Sequence, residues 1–245
     1  MADGIIELKN TSFFAQNMKV VQNVSCRFEE GKTTALVGPS GGGKSTVLKL
    51  SAGLLVPSHG EVCFRGRNIS VMSRKENLAF RKEGAVVFQD SALWANQNLD
   101  QILELPLKVH FPWMTKPDRD RRIAEVLAEV GYKKALDMRP SMLSMGEQKL
   151  IAFARALLCQ PALLFLDEWT ESLDDRAAQR LIGIVSRRRE EGNTIILVSH
   201  DFRIIRSLAD YIIMIQEGKL AFSFTKEQIA ADKNLAELVE KGIAS

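Results

Sequence analysis

The sequence predicts an α/β fold built on a mostly parallel β-sheet. Four short apolar runs, rich in aliphatic and β-branched residues, occupy residues 33–37, 85–88, 162–166 and 194–198. Uninterrupted apolar runs of this length are typical of strands in a parallel sheet that is covered on both faces. Apolar residues at helical spacing lie between these runs, as in residues 123–130. We therefore expect strands and helices to alternate through one core.

The order of these patterns predicts a single domain over residues 1–245 with several parts. Short alternating runs in residues 5–28 indicate antiparallel strands. We expect residues 1–90 and 159–225 to form the core that holds the parallel sheet and this antiparallel β subdomain, and residues 91–158 to form an inserted helical subdomain. An amphipathic pattern in residues 226–245 predicts a C-terminal helix on the surface.

Composition narrows the class of function. Of 245 residues, 46% are hydrophobic and 26% are charged, which excludes a disordered or collagen-like chain. The 33 basic and 30 acidic residues leave a net charge of only +3, too even a balance for a nucleic-acid-binding arm. Three cysteines at no metal-binding spacing favour buried thiols in a reducing, cytosolic compartment.

No apolar run approaches the roughly 20 residues that span a bilayer, and the first residues lack the features of a signal peptide. We therefore expect that any attachment to a membrane depends on a partner protein.

A glycine-rich loop directly after the first apolar run is the strongest motif. It consists of Gly38, Pro39, Ser40, Gly41, Gly42, Gly43, Lys44, Ser45 and Thr46, which fit G-x-x-x-x-G-K-[ST]. In such a loop the backbone N–H groups bind phosphate oxygens, the lysine reaches the β- and γ-phosphates, and the Ser45 hydroxyl ligates Mg²⁺. A flexible glycine turn with a surface lysine is the alternative, but a strand before and a helix after disfavour it. The helix is expected to bury Val47, Leu50 and Leu54.

The other apolar runs also end in polar residues, at the edge of the sheet where α/β proteins bind ligands. Asp167 is expected to hold Mg²⁺ through water, and Glu168 to orient or deprotonate an attacking water. Two solvated acids at a strand end are the alternative. His200 is placed to hydrogen-bond the γ-phosphate, although a lone histidine is often structural. Gln89 is placed to contact Mg²⁺ or water, although a glutamine often ends a strand.

A further motif precedes Asp167 and reads Leu143, Ser144, Met145, Gly146, Glu147, Gln148. It resembles the LSGGQ signature of ABC ATPases, and residues 149–157 resemble the helix that follows that signature. Residues 170–174 look like the D-loop of the same family, and His200 like its switch histidine. Five ordered motifs carry this resemblance over essentially the whole chain. It implies a P-loop NTPase (RecA-like) core.

The resemblance also implies a mechanism and a set of partners. Ser144 and Gly146 would form a second anion site that caps the γ-phosphate of an ATP bound by the other subunit. Two ATP molecules, each with Mg²⁺, would lie between two head-to-tail subunits, most simply a homodimer. Integral membrane permease subunits would use the motion, with the ATPase peripheral to the cytoplasmic face of the inner membrane. No nucleic acid is expected as a partner.

Several positions depart from the pattern of that family. Met145 replaces a glycine of the signature, which weakens the site if that position needs a positive φ or a close approach of phosphate. Glu147 replaces a glutamine, and Trp169 stands where a proline normally follows the catalytic glutamate. The position of the aromatic residue that stacks on adenine aligns with Ala15. Phe14, one residue earlier, is the candidate for that contact. Because every predicted catalytic residue is present, we expect an active hydrolase.

Three short segments of the sequence are similar to segments in ATPases of the Mce-associated, Mla-type lipid transporters. They are residues 72–74, 88–94 and 105–107. This similarity implies transport of phospholipid or another lipid across a bacterial envelope. A non-transport ATPase that regulates envelope enzymes through a membrane partner is the alternative. A soluble ABC protein acting on nucleic acid and a P-loop kinase fit less well, since the chain has one cassette and a signature helix.

A set of apolar residues is the candidate lining of a groove that receives a helix of the membrane subunit. Packing of these residues in the core of the subdomain is the alternative, of equal weight. The residues are Leu93, Trp94, Phe111, Trp113 and Met114.

Overall fold

The structure is a computed structural model, and it describes residues 4–16, 18–232 and 237. The strands, in chain order, are β1 (Gly4–Ala15), β2 (Met18–Glu29), β3 (Thr33–Val37), β4 (His59–Phe64), β5 (Arg67–Asn68), β6 (Gly84–Val87), β7 (Leu163–Asp167), β8 (Thr194–Val198), β9 (Tyr211–Gln216) and β10 (Lys219–Thr225). The helices are α1 (Lys44–Ser51), α2 (Arg74–Glu83), α3 (Leu99–His110), α4 (Lys116–Val130), α5 (Met145–Leu157), α6 (Asp175–Glu190), α7 (Phe202–Leu208) and α8 (Lys226–Ala231).

Two sheets make up the β structure. The larger sheet has the order β10-β9-β3-β8-β7-β6, in which β10 alone runs antiparallel to its neighbour. The smaller sheet has the order β2-β1-β4-β5 and is antiparallel throughout. The predicted α/β fold class is therefore confirmed, with a mostly parallel sheet and an antiparallel β subdomain.

The four apolar runs of the sequence are the four adjacent strands β3, β8, β7 and β6 at the centre and one edge of the large sheet. Each is apolar on both sides because both faces of the sheet are covered. Alternate residues of β3 face opposite cores: Ala35 and Val37 pack on one side and Leu36 on the other. The helices α3 to α7 cover the first face, while α1 and the small sheet cover the second.

One expectation for the first helix was wrong. Val47 and Leu50 are fully buried, as expected. Leu54 lies beyond the end of α1 at Ser51, and its side chain is 41% exposed. The left-handed Gly53, at φ 61°, turns the chain away before the periodic pattern reaches Leu54.

The segment between β6 and β7 is helical, with α3, α4 and α5 packed against each other and against the large sheet. Pro106 lies inside α3, where it removes one helical N–H donor. Within the described residues, no helix combines the length and the apolar character that crossing a bilayer requires. The predicted helix over residues 226–245 begins as α8, and most of its remaining residues lie outside the described ranges.

Candidate functional site

The glycine-rich loop joins the end of β3 to the start of α1 at the carboxyl edge of the large sheet. The helix begins at Lys44, and Gly43 precedes it with φ 102°. Ser45 and Thr46 lie in the first turn, while Ser40 and Gly41 are at the tip of the loop. The free backbone N–H groups and the positive dipole end of α1 therefore face the loop interior, which favours binding of an anion.

The glycines of this loop are required partly by their protein neighbours. A Cβ on Gly38 would lie 2.0 Å from the carbonyl oxygen of Ile215, and one on Gly43 would lie 2.9 Å from that of Val20. A Cβ on Gly41, which has φ 72°, would meet no atom within 4 Å, so this residue faces open space. The backbones of β9 and β2 thus fix one side of the loop, and the other side stays open for a ligand.

Lys44 is buried inside the loop. Its Nζ donates hydrogen bonds to the carbonyl oxygens of Gly38 and Pro39 at 2.8 and 2.9 Å. Burial lowers the pKa of Lys44, while the carboxylates of Glu168 and Asp167 act in the opposite direction. The ammonium group is therefore fixed inside the loop by two carbonyl oxygens.

Ser45 and Asp167 form the candidate magnesium site. The Ser45 hydroxyl donates to Asp167 Oδ1 at 2.8 Å, and Asp167 is 2% exposed. Burial raises the pKa of Asp167, while the Ser45 hydrogen bond and nearby lysines lower it. A hydroxyl and a carboxylate are the oxygen donors that Mg²⁺ prefers, with phosphates and water completing its shell. The described residues contain no cluster of three or more His, Cys, Asp or Glu side chains that could hold a metal ion.

Glu168 and His200 lie side by side at the ends of β7 and β8. Glu168 is 7% exposed and has φ 42°, and its N–H donates to the carbonyl of Val198 at 3.1 Å. Its Oε1 lies 3.1 Å from His200 Nε2, and its Oε2 accepts from the backbone N–H of His200 at 3.3 Å. Burial raises the pKa of Glu168, and His200 lowers it. A buried carboxylate that is oriented by a histidine can accept a proton from water.

Gln89 lies just after β6, and its side chain is directed to the loop after Glu168. Its Nε2 donates to Glu171 Oε2 at 2.9 Å. The carbonyl oxygens of Phe88 and Gln89 accept hydrogen bonds from Nζ of Lys149, which lies on α5. The segment that carries Gln89 is therefore attached to α5.

The signature motif begins α5. Ser144 and Glu147 form a capping box, in which each side chain accepts a hydrogen bond from the other residue's backbone N–H. Glu147 is also paired with Lys134 at 2.6 Å, and this contact, the largest of several causes, lowers the pKa of Glu147. Met145 is 70% exposed in the first helical turn, so its side chain points away from the core. Met145 is not among the residues with a positive φ, so the departure from glycine causes no strain there.

The loop after Glu168 packs closely on α5. A Cβ on Gly146 would lie 2.9 Å from the carbonyl oxygen of Ser172, so a larger residue at Gly146 would push this loop away. Trp169 is fully buried, with its ring centroid 5.7 Å from that of Phe153 on α5. Trp169, the residue that follows Glu168, therefore packs in the core. Asp174 then caps α6 by accepting from the N–H of Ala177 at 2.7 Å.

Phe14 lies near the end of β1, in the small sheet. It lines an open cleft of about 540 Å³ between the small sheet and β10, together with residues that include Lys19, Asn23 and Lys219. The Phe14 ring meets the His59 ring edge to face, with the centroids 5.7 Å apart. Phe14 therefore has an accessible ring, and adenine stacking by this residue stays a prediction.

A second, more apolar cleft of about 490 Å³ lies between the large sheet and α3. Among its lining residues are Leu54, Arg81, Phe88, Trp94, Leu105, Val109 and Arg155. We call it the α3 groove. Of the apolar residues predicted to line such a groove, only Trp94 does so. Leu93, Phe111 and Met114 pack against the core, and Trp113 is 73% exposed.

Sequence reasoning missed Lys149, which is 2% exposed. It shares one helical stripe of α5 with the buried residues Ala152, Phe153 and Ala156. A lysine in an apolar stripe at i, i+3, i+4 and i+7 spacing is an unusual feature, since lysine is rarely fully buried without a partner. This spacing is the sequence feature from which the burial of Lys149 could have been predicted.

The fold and this site together define a P-loop ATPase with a signature helix. A family model described as ABC transporter matches residues 21–171, and the chain belongs to the ABC transporter family as one of its ATP-hydrolysing subunits.

The chain is similar to proteins with different transport roles. It is 33% identical to the intermembrane phospholipid transport system ATP-binding protein MlaF of Haemophilus influenzae, over 96% of this chain and 89% of the relative. It is also 33% identical to the nickel import ATP-binding protein NikE of Shigella flexneri, over 84% of this chain and 78% of the relative. The dimeric ATP-binding cassette MJ0796, solved with ADP and Pi, superposes with a TM-score of 0.82 at 27% identity, over 90% of this chain and 98% of that one.

Replacing Lys44 by Ala is expected to weaken ATP binding by about tenfold or more, because a charged hydrogen bond to phosphate contributes about 2 kcal/mol. Equilibrium binding of a fluorescent ATP analogue measures the effect. Lys75→Ala, at an exposed position of α2, is the matched control and should bind as the unaltered chain does. Unchanged affinity in Lys44→Ala would remove Lys44 from the phosphate site.

As the pH is lowered, the hydrolysis rate should begin to fall at a pH above the pKa of an ordinary glutamate, which is about 4.3. We call this falling part of the profile its acid limb. Glu168 must be deprotonated to act as a base, and burial raises its pKa, so the active fraction is lost earlier as the pH falls. His200→Gln should move the limb to still higher pH. The measurement is kcat against pH at saturating ATP, with circular dichroism as the check on folding. A limb at the ordinary position would contradict the assignment.

Proposed function

We propose that this chain is the ATPase subunit of a phospholipid transport system of the Mla type. It would work as a homodimer on the cytoplasmic face of the inner membrane, peripheral to integral permease subunits. The observation that carries the lipid assignment is the similarity to MlaF along almost the full length of both chains. Similarity to a nickel importer covers less of either protein, and makes nickel transport the competing outcome.

The residues around the glycine-rich loop account for ATP binding and hydrolysis in this proposal. Lys44 and the N–H groups at the start of α1 bind the triphosphate, while Ser45 and Asp167 hold Mg²⁺. The ion neutralises phosphate charge when it is bound. Glu168 accepts the proton of the attacking water, and His200 orients Glu168 from the neighbouring strand.

The second half of the pocket would come from another subunit. Ser144 and the N–H groups of the first turn of α5 would form the anion site that faces the γ-phosphate of the other subunit's ATP. Glu147 would place a negative charge at that site, but its pair with Lys134 offsets the charge. ATP would contact both subunits through its γ-phosphate, and ADP would not, so the closed dimer is favoured by ATP.

The α3 groove is the feature that supports the proposal of a membrane partner. Leu105, Val109 and Trp94 are 37%, 46% and 43% exposed, so an apolar surface is available beside the basic groups of Arg81 and Arg155. A short helix with apolar residues and a carboxylate would complement it. The groove lies beside the segment of Gln89, through which the inserted subdomain (91–158) would pass the motion to the membrane.

Replacing Glu168 by Gln is expected to reduce turnover by at least about a hundredfold, because the proton acceptor is lost while the binding groups remain. ATP should then convert monomer to dimer, as measured by light scattering during gel filtration. Glu125→Gln, at an exposed position of α4, should hydrolyse ATP normally. Normal turnover by Glu168→Gln would show that the base is another group.

Affinity purification from native membranes tests the transport assignment. The tagged chain should retain a permease that contains phospholipid, and phospholipid should stimulate its ATPase activity. Leu105→Asp places a charge in the α3 groove and should lose the permease while keeping ATP hydrolysis; Phe222→Asp, on the exposed edge strand β10, should keep both. Stimulation by nickel, or capture of envelope hydrolases in place of lipid, would overturn the proposal.

A further inference from the structure

Lys149 is a buried cation that the mechanism above does not use. It lies one turn into α5 and is 2% exposed. Its Nζ donates to the carbonyl oxygen of Phe88 at 3.2 Å and to that of Gln89. A lysine ammonium has three donors and is costly to bury, so it is retained in such a place only with strong acceptors.

A second cationic side chain of α5 binds the same segment, which follows β6. Arg155 donates to the carbonyl oxygens of Ser91 and Ala92 at 3.2 and 2.8 Å, and its guanidinium lies 5.3 Å from the ring centroid of Trp94. Lys149 and Arg155 therefore hold the chain just after β6 at two successive points. The main-chain atoms between them are fastened to the signature helix.

The backbone at the Arg155 contacts is strained. Ser91 has φ 63° and Ala92 has φ 44°, in the left-handed region that is unfavourable for residues with a Cβ. Such a conformation persists only where surrounding contacts impose it. Arg155 contacts the carbonyl oxygens of these two residues, and Lys149 contacts those of the two residues that precede Asp90.

The side chain of Gln89 has one partner in the catalytic loop. Its Nε2 donates to Glu171, three residues after Glu168, while its main chain is held by Lys149. Gln89 is thus carried by α5 and contacts the loop that carries Glu168. A displacement of α5 relative to the large sheet must move Gln89 relative to Glu168, unless the Lys149 contacts break.

We propose that Lys149 is a positioning residue for Gln89: it fastens the main chain of Gln89 to the signature helix, so that the side chain of Gln89 enters or leaves the site of hydrolysis with that helix. The proposal rests on the proposed role of Gln89 at the ATP site. Lys149 touches no reacting atom. It acts by setting where Gln89 stands when the second subunit engages α5.

The test is a double-mutant cycle on kcat with Lys149→Met and Gln89→Ala. Lys149→Met has a similar length without the charge, and is expected to lower kcat about tenfold while leaving the KM for ATP within about twofold. In the Gln89→Ala background, Lys149→Met should cause no further loss, because its effect passes through Gln89. Lys149→Arg, which keeps the charge, should restore most of the rate.

Hydrogen–deuterium exchange gives a readout that is independent of turnover. Exchange over residues 88–92 should rise in Lys149→Met and remain unchanged in Lys133→Met, an exposed lysine of the same subdomain. Binding of a fluorescent ATP analogue without Mg²⁺ should be equal in all variants, which shows that they fold.

The outcomes separate the two proposals. If Gln89→Ala hydrolyses ATP at the normal rate, the role of Gln89 fails, and the role of Lys149 fails with it. If Gln89→Ala is slow but the losses from the two substitutions multiply, Gln89 keeps its role and Lys149 acts independently of it. An unchanged kcat in Lys149→Met would also overturn the proposal for Lys149.

Discussion

The hydrogen bond between the Ser45 hydroxyl and the buried carboxylate of Asp167 is the contact on which the geometry of the site depends. It joins the first turn of α1 to the last residue of β7, two elements that are far apart in sequence. The neighbours of these residues along the chain are Lys44 and Glu168. This contact therefore links the segments that carry the lysine predicted to bind phosphate and the carboxylate predicted to act as the base. A hydrogen bond to a charged group contributes about 2 kcal/mol.

The site gathers charges that burial alone would disfavour. Burial raises the pKa of Asp167 and of Glu168, and it lowers the pKa of Lys44 and of Lys149. In each case the opposite charges nearby reduce the shift. The ionised forms are therefore interdependent, and removing one lysine leaves a carboxylate harder to ionise. This interdependence explains why the effect of one substitution here is best measured against a second one.

The sequence predicted four of the five parallel strands, because a run of apolar residues between polar ends is a strong signal. The fifth, β9, was missed although it carries an apolar run of the same kind. The antiparallel strand β10 was also missed, since its sequence alternates weakly and includes polar residues. The phosphate loop was identified by its glycines, but only the structure shows that Gly38 and Gly43 are also limited by the backbones of β9 and β2. Close approach between distant segments leaves no pattern in a local stretch of sequence.

Contacts between distant segments leave no local pattern, and this explains which residues around the site could be predicted from the sequence and which could not. Residues at strand ends could be grouped from sequence because parallel strands share one edge. The contacts of Lys149 depend on how α5 lies against the segment after β6, which spacing alone does not specify. Met145 could be identified as a departure, but its exposure depends on where the helix begins. Ser144 caps the helix, so Met145 falls in the first turn with its side chain in solvent.

The burial of Trp169 has an optical consequence. Trp94 and Trp113 are 43% and 73% exposed, whereas Trp169 is shielded from solvent directly beside Glu168. An aqueous quencher such as iodide reaches the first two indoles and leaves the third emitting. The remaining fluorescence then comes from a chromophore that is packed between the catalytic loop and α5. The chain thereby contains a natural reporter of the contact between them, with no need for an attached dye.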